Sequence, residues 1–216
     1  MDQIVNYHKL MKEELATFDG KKKKILLHVC CGPCFSVPFK RLQDYFDITI
    51  MYDNSNIYPK EEFDRRLMEL RWYLGLLGEA KNIKIIVPPY DYEEYEKDLL
   101  PYADQPEGHE RCRVCFRKRL SYAFEYASKN GFDYCSTVMS ISRYKNSQDI
   151  NKIGKDLEIK FSNVKWLFAD FKKEGGYEEE LDICRKCGMY FQRYCGCRFS
   201  YEKMLEKERL KNQKSD

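Results

Sequence analysis

The sequence predicts an α/β fold built on a parallel sheet with flanking helices. Two observations carry this: short apolar runs of strand length recur along the chain, and each leads through a turn into a longer stretch of helical periodicity. Repeated alternation of this kind is the mark of β-α units joined by right-handed crossovers. With 216 residues, 43% hydrophobic and 34% charged, the chain can bury a core behind a wet surface, so residues 1–216 read as a single α/β domain.

The elements follow in order. Residues 1–20 are an N-terminal helical segment, amphipathic over 2–18 with Ile4, Leu10, Met11 and Leu15 among its apolar positions, closing near Gly20. The lysine run 21–24 reads as a solvated lead-in to a strand rather than a nucleic-acid contact. Residues 25–29 form a buried strand, 30–34 a Cys-Cys-Gly-Pro-Cys turn and 35–44 a helix. The alternation continues with strand 48–52, helix 61–77, strand 83–87, helix 111–129, strand 134–139 and helix 148–157. A Cys-containing helical extension occupies 176–216, its lysine-rich end 207–216 a fraying helix. In open sheets the ligand crevice lies outside the carboxyl ends of the strands, which places the 30–34 turn and the loops 53–59 and 140–145 around one crevice.

Residues 1–18 carry Lys9, Lys12, Glu13 and Glu14 among their apolar positions, so they lack the apolar core of a signal peptide. No run approaches the roughly 20 apolar residues that span a bilayer. The expectation is a cytoplasmic protein without a membrane partner, in a compartment where thiols stay reduced. Its ten cysteines therefore point to metal rather than disulfides. A net charge of +3 does not by itself indicate a polyanionic partner. Its distribution does more: Arg111, Arg113, Arg117, Lys118 and Arg119 crowd around Cys112 and Cys115, while Arg185, Lys186, Arg193 and Arg198 lie among the last four cysteines.

Cys135, alone in an apolar strand, reads as a small core hydrophobe. The remaining thiols fall into three groups: Cys30, Cys31 and Cys34; Cys112 and Cys115; Cys184, Cys187, Cys195 and Cys197. Two Cys-x-x-Cys pairs at a distance ordinarily suggest a closed zinc tetrahedron. Adjacent cysteines diverge along the backbone and suit a polymetallic cluster better, which favours iron-sulfur over zinc for Cys30, Cys31, Cys112 and Cys115. A radical-type Cys-x-x-x-Cys-x-x-Cys fails because Val37 stands at its third position, and a phosphate loop lacks its glycines. Two other readings stay open: a thioredoxin-like dithiol at Cys31-Gly-Pro-Cys34, and a zinc-stabilised RNA-binding protein without turnover. His28 and His109 are candidate acids, though a strand histidine is more often a core or supporting group.

Taken together, His28-Val-Cys-Cys-Gly-Pro-Cys34, Asn54-Ser-Asn-Ile-Tyr-Pro59, Arg111-Cys-Arg-Val-Cys-Phe-Arg-Lys-Arg-Leu120 and Tyr194-Cys-Gly-Cys197 resemble the QueH family of epoxyqueuosine reductases. Ser55 and Tyr58 depart from the family's usual proline and histidine, and Cys184 and Cys187 stand outside its motif. The resemblance implies a Rossmann-like fold related to the adenine-nucleotide α-hydrolases. It implies two-electron deoxygenation of epoxyqueuosine to queuosine at the wobble position of tRNA, the last step of queuosine biosynthesis, fed by an external electron donor. It further implies a 4Fe-4S cluster, placed on Cys30, Cys31, Cys112 and Cys115, and an additional mononuclear iron, for which Cys34, Cys195 and Cys197 are the catalytic candidates. An iron with an open position is the expected Lewis acid toward the epoxide oxygen. For the tRNA, Asn54, Asn56, Arg113, Arg117, Arg143, Tyr144 and Arg193 are the binding candidates, joined by Lys118, Lys145 and Arg198.

Overall fold

The computed structural model describes residues 4–78 and 82–213. Strands β1 (Lys23–His28), β2 (Phe46–Met51), β3 (Ile85–Ile86), β4 (Tyr134–Thr137) and β5 (Lys165–Trp166) form one sheet in the order β3-β2-β1-β4-β5, with every pairing parallel. This is the Rossmann-like α/β architecture, with its topological switch between β1 and β4. The helices are α1 (Tyr7–Leu15), α2 (Gly32–Leu42), α3 (Lys60–Leu76), α4 (Tyr92–Lys97), α5 (Glu110–Lys129), α6 (Ser147–Lys160), α7 (Gly176–Cys187) and α8 (Arg198–Asn212). Among the described residues none is long and apolar enough to cross a membrane.

The middle of β1, Ile25-Leu26-Leu27, is apolar without alternation because helices cover both faces of the central strand. Ile25 and Leu27 enter the layer built with Phe35, Leu42, Leu70 and Cys184, whereas Leu26 enters the opposite layer of Leu120, Phe124 and Ile150. Cys135 belongs to that second layer. Two glycines permit close approaches that no other residue would. A Cβ at Gly154 would lie 2.1 Å from Trp166 Cε2, so α6 seats on β5 only through glycine, and one at Gly176 would lie 1.9 Å from the Phe171 carbonyl oxygen.

Several expected boundaries shift. The helix anticipated at 35–44 begins at Gly32, because Pro33 occupies a first-turn position where its missing N–H costs nothing. Cys34 therefore stands inside α2 rather than in a turn. The strand expected over 83–87 keeps only two ladder residues, as an edge strand paired solely with β2. The strand expected to reach 139 stops at Thr137, whose hydroxyl accepts the Met139 N–H at 3.1 Å and starts the 3₁₀ turn Val138–Ile141. β5 and α4, too short to carry a readable period, were not anticipated. The extension 176–216 contains two helices, α7 closing on Gly188 in the left-handed region (φ 67°). The helix expected over 2–18 is ordered as Tyr7–Leu15, capped by Asn6. Positions 2, 3 and 214–216 of the expected terminal helices lie outside the described residues.

Candidate metal centre

The carboxyl ends of β1 and β4 open the crevice at the switch point. β1 runs directly into α2: Cys30 follows the strand, Cys31 is the extended N-cap and Cys34 sits in the first helical turn. That path folds three thiols back on one another, so their sulfurs all lie within 4.8 Å. Cys34, grouped with Cys30 and Cys31 in the sequence but expected in a turn, meets them from the first turn of α2 because the helix starts early. All three are buried, at 5%, 1% and 8% exposure. Gly32 lets the α2 terminus approach α3, since a Cβ there would lie 3.2 Å from the Glu69 carbonyl oxygen.

Hydrogen bonds from the Cys31 and Cys34 thiols hold Cys30 well below the ordinary thiol range. The same bond to Cys30 pushes Cys34 up, and burial followed by that bond pushes Cys31 up. Charge is thus favoured on Cys30 over Cys31 and Cys34, and a metal would displace the protons those two hold.

Three buried cations surround these sulfurs. Arg119 donates from Nη2 to Asn54 Oδ1 at 2.5 Å and from Nε to His28 Nε2 at 3.2 Å, with Cys115, Cys30 and Cys195 in its field. Arg66 pairs with Glu62 at 2.6 Å and donates to the carbonyl oxygens of Tyr194 (3.1 Å) and Cys195 (3.2 Å). Burial alone would discharge Lys145, yet Cys195, Cys30 and Cys34 outweigh it and hold the ammonium charged. Isolated buried charges cost several kcal/mol each. Their convergence on soft thiols suits an anionic sulfur-bound metal group better than an apolar core.

His28 supports this frame as a neutral ring. Its Nδ1 lies 2.9 Å from the Thr137 hydroxyl, while Nε2 lies 3.2 Å from the Arg119 Nε donor and 3.1 Å from the Asp53 carbonyl oxygen. Burial and the Arg119 charge push the ring down to about 3.

A second thiol group adjoins the first. Cys112 and Cys115 stand at the start of α5; Cys112 Sγ accepts the Gly108 N–H at 3.2 Å and Cys115 Sγ accepts the Tyr95 hydroxyl at 3.3 Å. Burial raises Cys112 to about 11. Cys197 donates to Ser200 Oγ at 3.4 Å, and burial together with Cys195 pushes it to about 12. Gly196 between them has φ 128°, and its carbonyl oxygen accepts the Tyr58 N–H at 2.7 Å, pinning the Cys-Gly-Cys turn to the loop after β2. Cys195 faces both groups: it lines the crevice with Cys30, Cys31 and Cys34, and the neighbouring hollow with Cys112 and Cys197. Cys184 and Cys187 lie farther along α7, with Tyr73 in their field.

The remaining candidates separate clearly. Arg143 and Tyr144 line the cysteine crevice, with the Arg143 guanidinium over both Tyr144 and Tyr177. Arg193 pairs with Glu208 in an adjoining groove. Arg113 and Arg117 do not reach the crevice; they pair across α6 with Asp149 (3.3 Å) and Asp156 (3.1 Å), as Lys118 does with Asp98 (2.6 Å) and Arg198 with Glu96 (2.8 Å). Asn54 is buried and holds the frame, donating to the Val29 carbonyl oxygen at 2.8 Å while accepting from Arg119. Asn56 is equally buried, its Oδ1 without a partner among the described residues. Sequence reasoning missed Arg66, Glu180, Tyr177 and Phe191, which also line the crevice. Only Arg66 left a readable trace, in its i,i+4 spacing from Glu62.

Asp53 yields a test of this electrostatic frame. Burial raises its carboxyl from 3.8 to about 6 despite Arg119 and Lys118. Between those values the folded chain holds a proton that the unfolded chain has released, so stability falls as pH rises through the window and stays lowered above it. Asp53→Asn is expected to gain about 3 kcal/mol at pH 8 and little at pH 4, read from urea unfolding. An equal gain at both pH values would exclude burial of the charge as the cause.

Comparison with known proteins bears on the site. Residues 25–203 match the family model described as epoxyqueuosine reductase QueH. The chain is 35% identical over 200 residues to the epoxyqueuosine reductase QueH of Streptococcus pyogenes serotype M1, covering 91% of this chain and 78% of that protein. Its namesake from Staphylococcus aureus is 36% identical over 205 residues, covering 92% and 85%. That of Thermotoga maritima is 32% identical over 186 residues, covering 85% and 93%.

Proposed function

The chain belongs to the epoxyqueuosine reductase QueH family, and from that premise we propose that it reduces epoxyqueuosine to queuosine at the wobble position of tRNA through an iron-sulfur centre in the cysteine crevice. The observation that carries the metal is the packing of Cys30, Cys31 and Cys34 within 4.8 Å under three buried cations. Cys30, Cys31, Cys112 and Cys115 would hold a 4Fe-4S cluster, a division supported by Arg119, which faces both Cys115 and Cys30. Cys34 and Cys195, both facing Lys145, would hold the additional iron, with Cys197 behind them. When bound, such a group supplies single electrons and a Lewis acid.

The protein's own side chains supply the rest. Arg66, Arg119 and Lys145 offset negative charge where water is excluded. Tyr144 and Phe191, 62% and 43% exposed, together with Tyr177 give the mouth aromatic faces on which an unstacked base can lie. Deoxygenation of the epoxide consumes two electrons and two protons and releases water. Lys145 and Glu180 are the proton-bearing groups that line the crevice; burial and the Cys30 charge raise Glu180 to about 7.

Anaerobic purification and assay on epoxyqueuosine-containing tRNA, with nucleosides read by mass spectrometry, test the proposal. A brown protein with iron and sulfide that forms queuosine supports it. A colourless zinc protein without product would sink it, and a metal-free dithiol that reduces disulfides would favour the thioredoxin-like reading.

A further inference from the structure

A groove of about 310 Å³ runs beside the cysteine crevice and joins it at Tyr144, Tyr194 and Cys195, which line both. One wall is α8, whose Lys203, Lys207 and Lys211 recur every four residues and so share one helix face over about 12 Å. Like charges at this spacing repel and weaken a helix. Lys203 and Lys207 nonetheless have no acidic partner among the described residues. Arg193 adds a fourth cation, and Glu208, its partner, and Glu107 are the acidic side chains in the groove.

Cations along a channel, Lys203 and Lys207 among them uncompensated, ending at an exposed aromatic ring, match what single-stranded nucleic acid requires: phosphate contacts along the strand and a face for a base. We propose that this groove carries the RNA strand flanking the target nucleoside, the α8 lysines and Arg193 holding its phosphates and Tyr144 stacking the neighbouring base at the crevice mouth. The proposal rests on the reading above, in which the substrate nucleoside sits within an RNA loop.

The test uses the reconstituted full chain and a fluorescent anticodon stem-loop RNA, titrated at several salt concentrations. Lys203→Glu/Lys207→Glu is expected to weaken binding at least ~10-fold and flatten the log-log salt slope by about 1.4, at roughly 0.7 per lost single-strand contact. KM for tRNA rises with it, while kcat at saturating tRNA and iron content stay unchanged. Lys21→Glu/Lys22→Glu, in the equally basic run before β1, should leave slope and KM as they were. If the wild-type enzyme reduces tRNA-borne substrate but the α8 variant keeps its slope and KM, the groove assignment falls and the reductase reading stands. A wild-type chain without reductase activity whose α8 variant still loses the slope overturns that reading while keeping the groove as an RNA surface. Equal losses in both variants overturn the groove as a specific track.

Discussion

With the proposed iron-sulfur centre in place, Cys34→Ala is expected to abolish epoxyqueuosine reduction, by on the order of 10³-fold or more, while visible absorbance and iron-sulfur content stay at the wild-type level. The size separates a metal-ligating thiol from a residue that merely supports ligands, whose loss typically costs about 10- to 100-fold. Cys34 is buried in the first turn of α2, faces Lys145 across the crevice and is one of three sulfurs within 4.8 Å. Its closeness to Cys30 and Cys31 makes the spectroscopy decisive. A variant that turns over normally removes Cys34 from the chemistry. A variant that also loses the cluster places Cys34 among the cluster ligands and leaves the additional iron to Cys195 and its neighbours.

The second large effect concerns Arg119. Arg119→Met keeps the length of the side chain and removes the charge, leaving His28 Nε2 and Asn54 Oδ1 without their donor. Breaking a buried charged network in this way costs about 3–5 kcal/mol. In a domain of this size, that lowers Tm by roughly 10 °C. The fall should be larger in the reconstituted protein than in the metal-free one, because Arg119 also faces Cys115 and Cys30, and a sulfur must be a thiolate to bind metal. Arg119→Lys should recover part of the metal-dependent difference, since it restores charge but not the fork. Equal losses with and without metal would reduce Arg119 to a packing residue.

Both predictions depend on features of unequal legibility. The apolar run Ile25-Leu26-Leu27 announces a central strand, and the helical stretches after it announce covering layers, because burial on two faces demands such a pattern. The cysteine groups were equally plain, as thiols at short spacing outside any disulfide have few structural uses. Two-residue β5 left no period to read, whereas β3 was legible as the apolar run 83–87 though only Ile85 and Ile86 enter the ladder. Gly32-Pro33 read as a turn because proline and glycine usually punctuate, although at a first helical turn proline starts a helix. Arg113 and Arg117 looked like RNA contacts from their nearness to Cys112 and Cys115. Helical rotation turns them toward Asp149 and Asp156 instead.

By itself, then, the sequence determined the alternating α/β order, the grouping of the thiols and the family, since each depends on residue type and local spacing. Only the tertiary structure decided which sulfurs meet, that Cys195 stands between the two groups, and that Arg66, Arg119 and Lys145 are buried against them. The physical reason is burial. A lysine or arginine on a surface and one enclosed beside thiolates are the same letter in the chain, and only long-range packing fixes which of them must hold its charge away from water.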